Sequence, residues 1–122
     1  MDVIEVLKAL SDETRIRIIT LLSRETLCIC ELEVILNLGQ SNISRHVTRL
    51  KQAKLVAAEK KAQWIYYRVD KRIFDTYPFL PELFQENFPQ LPQCQADLLR
   101  LKEHKESGVD CAVLMKEYRK SV

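Results

Sequence analysis

Apolar residues recur at helical spacing from residue 3 to residue 53, and the repeat then shortens to two residues over positions 55–69. Polar caps and the turn Asn37-Leu38-Gly39 divide the helical part into segments of about 3–10, 12–23, 28–36 and 40–53. The alternating part predicts two strands, Leu55–Glu59 and Trp64–Val69, which residues 60–63 join. A helix, a short turn, a helix and a hairpin in this order predict a winged helix-turn-helix.

The remainder of the chain is predicted to be helical. One short helix is expected from Ile73 to Tyr77, and two more at about Gln95–Lys105 and Asp110–Lys120, after a segment that prolines interrupt. Only two glycines among 122 residues disfavour a fold rich in strands and loops. We therefore predict an α+β, mostly α, fold, with about five core helices and a hairpin wing in residues 1–75. Residues 76–122 are expected to form a helical extension of the same domain.

The N-terminal segment and the cysteines indicate a cytoplasmic protein. Acidic residues at positions 2 and 5 are unlike a signal peptide, which begins with a basic region followed by an unbroken apolar segment. No apolar run approaches the roughly 18 residues of a membrane span. Thiols stay reduced in the cytoplasm, where four cysteines favour metal binding or redox sensing over disulfides. Because the sequence has no nucleophile–base set, glycine-rich phosphate loop or HExxH motif, we expect neither catalysis nor an organic cofactor.

Positive charge is concentrated in the middle of the chain. Residues 45–72 carry nine basic and two acidic side chains, a balance of +7, while the rest of the chain has a balance of −5. A basic segment within an acidic frame is typical of a nucleic-acid-binding module. Double-stranded DNA is therefore the expected partner, and no membrane partner is expected.

Residues 40–53 form the predicted recognition helix. Ile43, Val47 and Leu50 make an apolar stripe that would fix this helix to the core. The other face offers short hydrogen-bonding side chains and arginines, which suit base edges and phosphates, and the hairpin lysines would reach the DNA backbone or the minor groove. The same pattern also fits a solvated face on a structural helix, and His46 fits a partly buried helix histidine as well as a phosphate contact. The candidate DNA-binding residues are Gln40, Ser41, Asn42, Ser44, Arg45, His46, Arg49, Lys60 and Lys61.

Cys28 and Cys30, at the start of the third predicted helix, are the candidate ligands of a soft ion. Soft ions such as As(III) select thiolate, and unpaired N–H groups at a helix start favour that form. Positions i and i+2 of a regular helix lie about 200° apart around its axis, so binding would have to bend or unwind this turn. Since this helix precedes the recognition helix, the distortion would move the DNA-reading element. Each cysteine could instead be a small buried hydrophobe.

Four segments carry a resemblance to known proteins: residues 10–19 at the start of the second helix, 27–32 around the cysteines, 40–47 in the recognition helix and 64–69 in the second wing strand. They resemble the ArsR/SmtB family of metalloregulatory repressors, in register over about residues 3–75. The resemblance implies a homodimer, joined through the first helix and the helix after the wing and bound to an imperfect operator palindrome. It also implies repression that a metal or metalloid relieves, and dimer contacts in the C-terminal extension.

Two positions depart from the family pattern. Many members have glycine where this chain has Lys54 and Ala62. Glycine suits sharp helix exits and tight turns, so we expect a less sharply capped recognition helix and a looser hairpin turn here.

The resemblance leaves the third ligand open. Arsenite-responsive relatives have a further cysteine where this chain has Glu33, a poor ligand for As(III) but an acceptable one for zinc or lead. Cys94 or Cys111 could complete a three-sulfur site, from the same or the other subunit, and Cys94 follows a predicted helix start that favours thiolate. These two cysteines could also form a second two-thiol site or be structural. Some family members have a zinc site on the helix after the wing, built from Asp, His and Glu at helical spacing. We do not expect that site here, because residues 73–77 contain only one such residue, Asp75.

The sequence therefore predicts a repressor with As(III) as inducer. Two alternatives remain on the same fold. One is a sensor of cadmium, lead or zinc at Cys28 and Cys30, and the other is a thiol redox or sulfide sensor that uses Cys94 and Cys111.

Overall fold

Seven helices and three strands follow one another in the computed structural model, which describes residues 2–110 and 113–114. A π-helical turn, Leu83–Asn87, and a 3-10 turn, Phe88–Gln90, lie between α6 and α7. Within the described ranges no helix is long and apolar enough to cross a membrane. The elements are α1 (Val3–Leu10), α2 (Glu13–Leu22), β1 (Leu27–Cys28), α3 (Ile29–Leu36), α4 (Gln40–Gln52), β2 (Val56–Lys61), β3 (Trp64–Val69), α5 (Ile73–Thr76), α6 (Leu80–Glu82) and α7 (Pro92–Ser107).

Aspartates begin the first two helices. The Asp2 carboxylate accepts a hydrogen bond from the Glu5 N–H at 3.1 Å, and the Asp12 carboxylate accepts one from the Arg15 N–H at 3.0 Å. A negative side chain is favoured at this end of a helix, where N–H groups lack partners within the helix. Ser11, the residue before this second cap, ends α1 and donates its hydroxyl to the Lys8 carbonyl at 2.8 Å.

The predicted helix-turn-helix and wing are confirmed, with one added strand. The sheet is antiparallel in the order β1-β3-β2, and β1 places Leu27 opposite Tyr67 and Cys28 opposite Tyr66. The sequence pattern did not reveal β1, because a strand of two residues is too short to show an alternation of apolar and polar side chains. The wing is also longer than predicted: β2 and β3 pair as far as Lys61 opposite Trp64, so only Ala62 and Gln63 form the turn.

The core is built around α4. Its predicted stripe of Ile43, Val47 and Leu50 is at most 1% exposed and packs in one cluster with residues of α1, α2, α3 and the wing. Burying side chains of this size stabilises the fold by about 1.5–3 kcal/mol each. The stripe leaves the opposite face of α4 outside the core, which orients it for an external partner.

The apolar residues of α1 lie on more than one face of the helix. Val3, Ile4 and Leu7 are 38%, 56% and 49% exposed. Val6, Ala9 and Leu10 are buried. Because α1 carries apolar residues on more than one side, spacing alone could not select the face that meets the core.

The long C-terminal helix begins earlier than predicted. α7 starts at Pro92 rather than near Gln95, since proline is well suited to a first helical turn. It ends before Gly108, whose φ of 70° is the left-handed conformation typical of a helix end. α7 packs against α2 and α3. The helix expected at about Asp110–Lys120 lies largely outside the described residues.

Both positions where relatives carry glycine adopt left-handed backbone here. Lys54, just after α4, has a φ of 62°, and Ala62 in the wing turn has a φ of 57°. The two-residue turn at Ala62 is therefore tight, contrary to the looser turn that we expected. Side chains with a Cβ are disfavoured in this region, so the tight turn is kept at a cost in stability.

We expect Ala62→Gly and Lys54→Gly each to raise the free energy of unfolding by about 0.5–1 kcal/mol, because glycine adopts a positive φ without the Cβ clash. Ala58→Gly, in the extended part of β2, is the matched control and should lower it. Urea denaturation of the three variants measures the differences. A loss of stability in Ala62→Gly would contradict the left-handed turn.

Candidate nucleic-acid interface and thiol site

The outer face of α4 forms an open depression. Its lining in the described chain includes two arginines and no acidic side chain. Within α4, the Asn42 side-chain oxygen accepts a hydrogen bond from Arg45 Nη2 at 2.9 Å, which orients this exposed guanidinium. The face can therefore offer both hydrogen-bonding groups and positive charge to a DNA groove. The lining residues are Gln40, Ser41, Ser44, Arg45, Thr48, Arg49 and Gln52.

His46 does not share this outer face. It is 7% exposed, and its Nδ1 lies 3.2 Å from Arg15 Nη1 and 3.9 Å from Asp12 Oδ1. Burial lowers the pKa of its imidazole, although the Asp12 carboxylate opposes that shift. Of the two interpretations that the sequence left open, the structure therefore supports the partly buried helix histidine, which ties α4 to the start of α2.

The wing adds two exposed cations. Lys60 and Lys61 end β2 next to the turn, rather than lying within the turn as the sequence suggested. Lys61 Nζ lies 5.6 Å from the centre of the Tyr66 ring, a cation–π geometry that holds it near the hairpin. These exposed ammonium groups place positive charge beside the hairpin turn.

Cys28 is not in a helix. It pairs with Tyr66 in the wing sheet and has the extended backbone of an N-cap, with φ −90° and ψ 171°, while α3 begins at the next residue. Cys28 is buried, at 2% exposure, whereas Cys30 in the first turn of α3 is half-buried. The expectation that both cysteines lie on one helix, about 200° apart, is therefore wrong. β1 pairing, which the sequence did not reveal, pulls Cys28 out of the helix.

A buried carboxylate holds the turn that carries these thiols. Cys28 and Glu31 form a reciprocal capping box, in which a Glu31 oxygen accepts a hydrogen bond from the Cys28 N–H at 3.2 Å. The other Glu31 oxygen lies 2.7 Å from His104 Nε2 of α7, and both residues are less than 10% exposed. The start of α3 is therefore linked to the wing through Cys28 and to α7 through Glu31.

Glu33 faces the start of α4. Its carboxylate accepts a hydrogen bond from the Gln40 N–H, while burial raises its pKa above the usual range for a glutamate. A carboxylate at this position caps the recognition helix. Glu33 therefore has a structural partner in α4.

Cys94 is packed at the start of α7 against α2. Its side chain is 1% exposed, and its Sγ lies 3.7 Å from Thr20 Oγ1. Burial raises the pKa of the Cys94 thiol, so the expectation that a helix start would favour its thiolate is wrong. Desolvation outweighs the helix end here.

The fit of these thiols to a soft ion is only partial. Two sulfurs in one short segment have the right chemistry for As(III) or cadmium. Yet across residues 2–110 and 113–114, no three His, Cys, Asp or Glu side chains come together in a way that could hold a metal ion. Cys111, the other candidate donor, lies outside the described residues. A third ligand is therefore not preassembled in the part of the chain that the structure describes.

Sequence reasoning missed three residues that position the site. Arg15 donates to the Ala9 carbonyl at 2.6 Å as well as meeting His46, so it joins α1, α2 and α4. Arg17 forms a bidentate pair with Asp97 of α7, at 2.8 and 2.9 Å, and Asp97 is fully buried. His104 holds Glu31. Only the charge of these residues within otherwise amphipathic helices could have marked them, since their partners are distant in sequence.

Comparisons with known proteins agree with this architecture. The sequence profile of the bacterial regulatory protein, arsR family, matches residues 12–58. The chain is 36% identical over 109 residues to the arsenic resistance transcriptional regulator ArsR1 of Pseudomonas putida, covering 88% of this chain and 85% of that protein. It is 38% identical over 71 residues to the cadmium resistance transcriptional regulatory protein CadC homolog of Staphylococcus aureus, covering 57% and 59%. An ArsR-like transcriptional regulator from a Rhodococcus species superimposes with a TM-score of 0.57 at 27% identity, over 84% of this chain and 89% of that one.

In the native, reduced protein we expect iodoacetamide to alkylate Cys94 far more slowly than Cys30. Cys94 is buried and its pKa is raised, so both access and the thiolate fraction are low, whereas Cys30 is half-buried. Mass spectrometry of quenched time points measures the two rates, and the same reaction in urea is the control, where the rates should converge. Equal rates in the native protein would contradict the docking of α7 on α2.

Proposed function

The chain belongs to the arsR family of bacterial regulatory proteins, and we propose that it is a homodimeric, cytoplasmic repressor that leaves its operator when As(III) binds cysteine thiolates. The family and its solved neighbours are DNA-binding transcriptional regulators rather than enzymes. One observation carries the proposal: the two thiols lie at the start of α3, the helix that directly precedes the exposed face of α4.

Operator binding is assigned to α4 and the wing. Gln40, Ser41 and Ser44 lie in the N-terminal half of α4, and Arg45 adds an oriented guanidinium that can donate two hydrogen bonds to guanine. Arg49 lies further along α4, and its Nη2 lies 3.7 Å from a carboxylate oxygen of Glu5 in α1. This ion pair partly compensates the positive charge of Arg49. Lys60 and Lys61 supply contacts to the backbone, which fix position rather than sequence.

The homodimer is supported by the uncovered face of α1. Val3, Ile4 and Leu7 are all more than a third exposed, although they are adjacent on one short helix. A second copy of the chain could cover this apolar surface, and a two-fold axis would then repeat α4 at the two halves of a palindromic operator.

Coupling to DNA passes through the capping box. A soft ion supplies affinity for two thiolates. Drawing the Cys28 sulfur towards Cys30 moves the residue that caps α3 and pairs with Tyr66, so Glu31 loses its N–H donor and β1 is pulled from the wing sheet. The first turn of α3 and the wing then shift together relative to α4. A coupling of about 1–3 kcal/mol between the two sites would weaken operator binding by roughly 5- to 150-fold.

Cadmium is the second candidate inducer. The relative from Staphylococcus aureus is named for cadmium resistance, and its sequence aligns with 57% of this chain. The same two thiols suit cadmium, which accepts a mixed donor set more readily than As(III) does. Titration with both ions separates the candidates.

Arg45→Ala should weaken operator binding by roughly 5- to 150-fold, since one good arginine–base contact contributes about 1–3 kcal/mol. Fluorescence anisotropy with the chain's own promoter DNA, at fixed salt concentration, measures the affinity. Lys102→Ala, an exposed lysine of α7, is the control and should leave it unchanged. If Arg45→Ala binds as tightly as the native chain, the DNA-reading surface lies elsewhere.

Cys28→Ser and Cys30→Ser should each retain operator binding but abolish release by arsenite, because each removes one of two sulfurs. Release is followed by anisotropy during titration with arsenite, cadmium and zinc. Cys94→Ser and Cys111→Ser, titrated separately, show whether either cysteine supplies a third sulfur. Arsenite-driven release from a variant with serine at both positions 28 and 30 would end the thiol proposal while leaving the DNA assignment intact. Release by cadmium alone would make cadmium the inducer.

A further inference from the structure

A second concave surface lies at the base of the wing. A cleft of about 500 Å³ opens between the loop that follows α2, the end of β3 and the start of α5. None of its lining residues belongs to the α4 depression, and none is a cysteine. The charged residues among them are Arg24, Arg68, Lys71, Arg72 and Glu25. Four cations and one anion thus meet in a cleft that the proposed function does not use.

Part of this charge is already compensated. Arg72 donates to the Asp70 carboxylate at 2.7 and 2.9 Å, and it holds the pKa of Asp70 below the usual range. Arg68 Nε lies 4.0 Å from Glu59. Glu25, the acidic lining residue, forms a salt bridge with Lys105 of α7, which compensates its negative charge.

Arg24 and Lys71 are the remaining cations. Within residues 2–110 and 113–114 no acidic side chain forms a salt bridge with either of them. The two residues come from different segments that line the cleft: Arg24 follows α2, and Lys71 lies between β3 and α5. Two cations with no acidic partner, next to two that are only partly neutralised, give the cleft a net positive potential.

The floor of the cleft strengthens this potential. Leu22 and Val69 are buried and Phe74 is half-buried, and all three line the cleft. The charged groups therefore have apolar side chains on one side and water on the other. Clefts with low-dielectric walls focus the field of their charges. Thr26 adds a hydroxyl group to the lining, whereas the Ser23 hydroxyl already donates to the Thr20 carbonyl at 2.7 Å. Guanidinium, ammonium and hydroxyl donors together match the oxygen atoms of a tetrahedral oxyanion.

We propose that this cleft binds a small phosphate-class oxyanion, either free phosphate or the phosphate group of a small molecule. Arg24 and Lys71 are the principal donors, and Arg68 is the third cation within the same cleft. In the described part of the chain, no cysteine and no residue of the α4 depression lines the site.

The position of the cleft gives binding a structural effect. Thr26 immediately precedes β1, and Arg68 is the neighbour of Tyr67, which pairs with Leu27 of β1. An anion held between them joins the loop before β1 to β3 and α5, and so stabilises the strand that carries Cys28. A ligand that binds only the folded protein raises its melting temperature, and the rise grows with the logarithm of the ligand concentration above its dissociation constant.

The test is titration of the reduced, full-length protein with inorganic phosphate by isothermal titration calorimetry, at constant ionic strength with chloride as the reference anion. We expect the double variant Arg24→Ala/Lys71→Ala to bind phosphate at least about 10-fold more weakly, as charged hydrogen bonds are lost. Lys102→Ala is the matched control and should bind as the native chain does. Melting temperatures without phosphate, expected to be equal, show that each variant folds.

Glycerol 3-phosphate is titrated in parallel to identify the source of the anion. Tighter binding than inorganic phosphate points to a phosphate ester as the ligand, and equal binding points to the free ion, and either result supports the site. Absence of phosphate binding to the native chain overturns the proposal, and so does equal binding by the double variant, because the anion then binds elsewhere. If phosphate does not bind but the double variant loses operator affinity, the cleft is a DNA contact instead.

Discussion

The first turn of α3 is held by one buried carboxylate. Glu31 accepts from the Cys28 N–H and meets His104 from the other side, and neither group is open to water. A buried carboxylate is costly unless it is paired, so this arrangement requires that β1, α3 and α7 all be in place at once. The position of both thiols, the pairing of β1 with the wing and the docking of the last helix are thereby made mutually dependent.

Polar contacts as well as apolar packing join α7 to the helices that precede the wing. The bidentate pair between Arg17 and Asp97 fixes α7 to α2, and Arg100 Nη1 donates to the Ile35 carbonyl at 3.3 Å to fix it to α3. α2 and α3 in turn pack against α4. The exposed face of the recognition helix thus rests on a scaffold whose outermost member comes from the C-terminal third of the chain.

The parts that could be predicted from the sequence depend on local periodicity. The Ile43, Val47 and Leu50 stripe of α4 and the alternating strand Trp64–Val69 fall where they were expected, because a regular repeat reports one buried face. The state of Cys28 could not be predicted, since it depends on pairing with Tyr66, 38 positions away. The buried face of α1 was missed because the helix is apolar on two sides. The ion pairs of α7 join residues that are far apart in the sequence, so no local pattern could predict that they are close in space.

Distance along the chain also sets an order of assembly. Glu31 and His104 are 73 positions apart, and Arg17 and Asp97 are 80 positions apart. Because synthesis proceeds from the N-terminus, α1 to α4 and the wing leave the ribosome before either partner exists. During that interval the Glu31 carboxylate has only the Cys28 N–H to share, so the cysteine-bearing turn stays loosely held. The helix-turn-helix therefore reaches its final packing only after α7 has been synthesised.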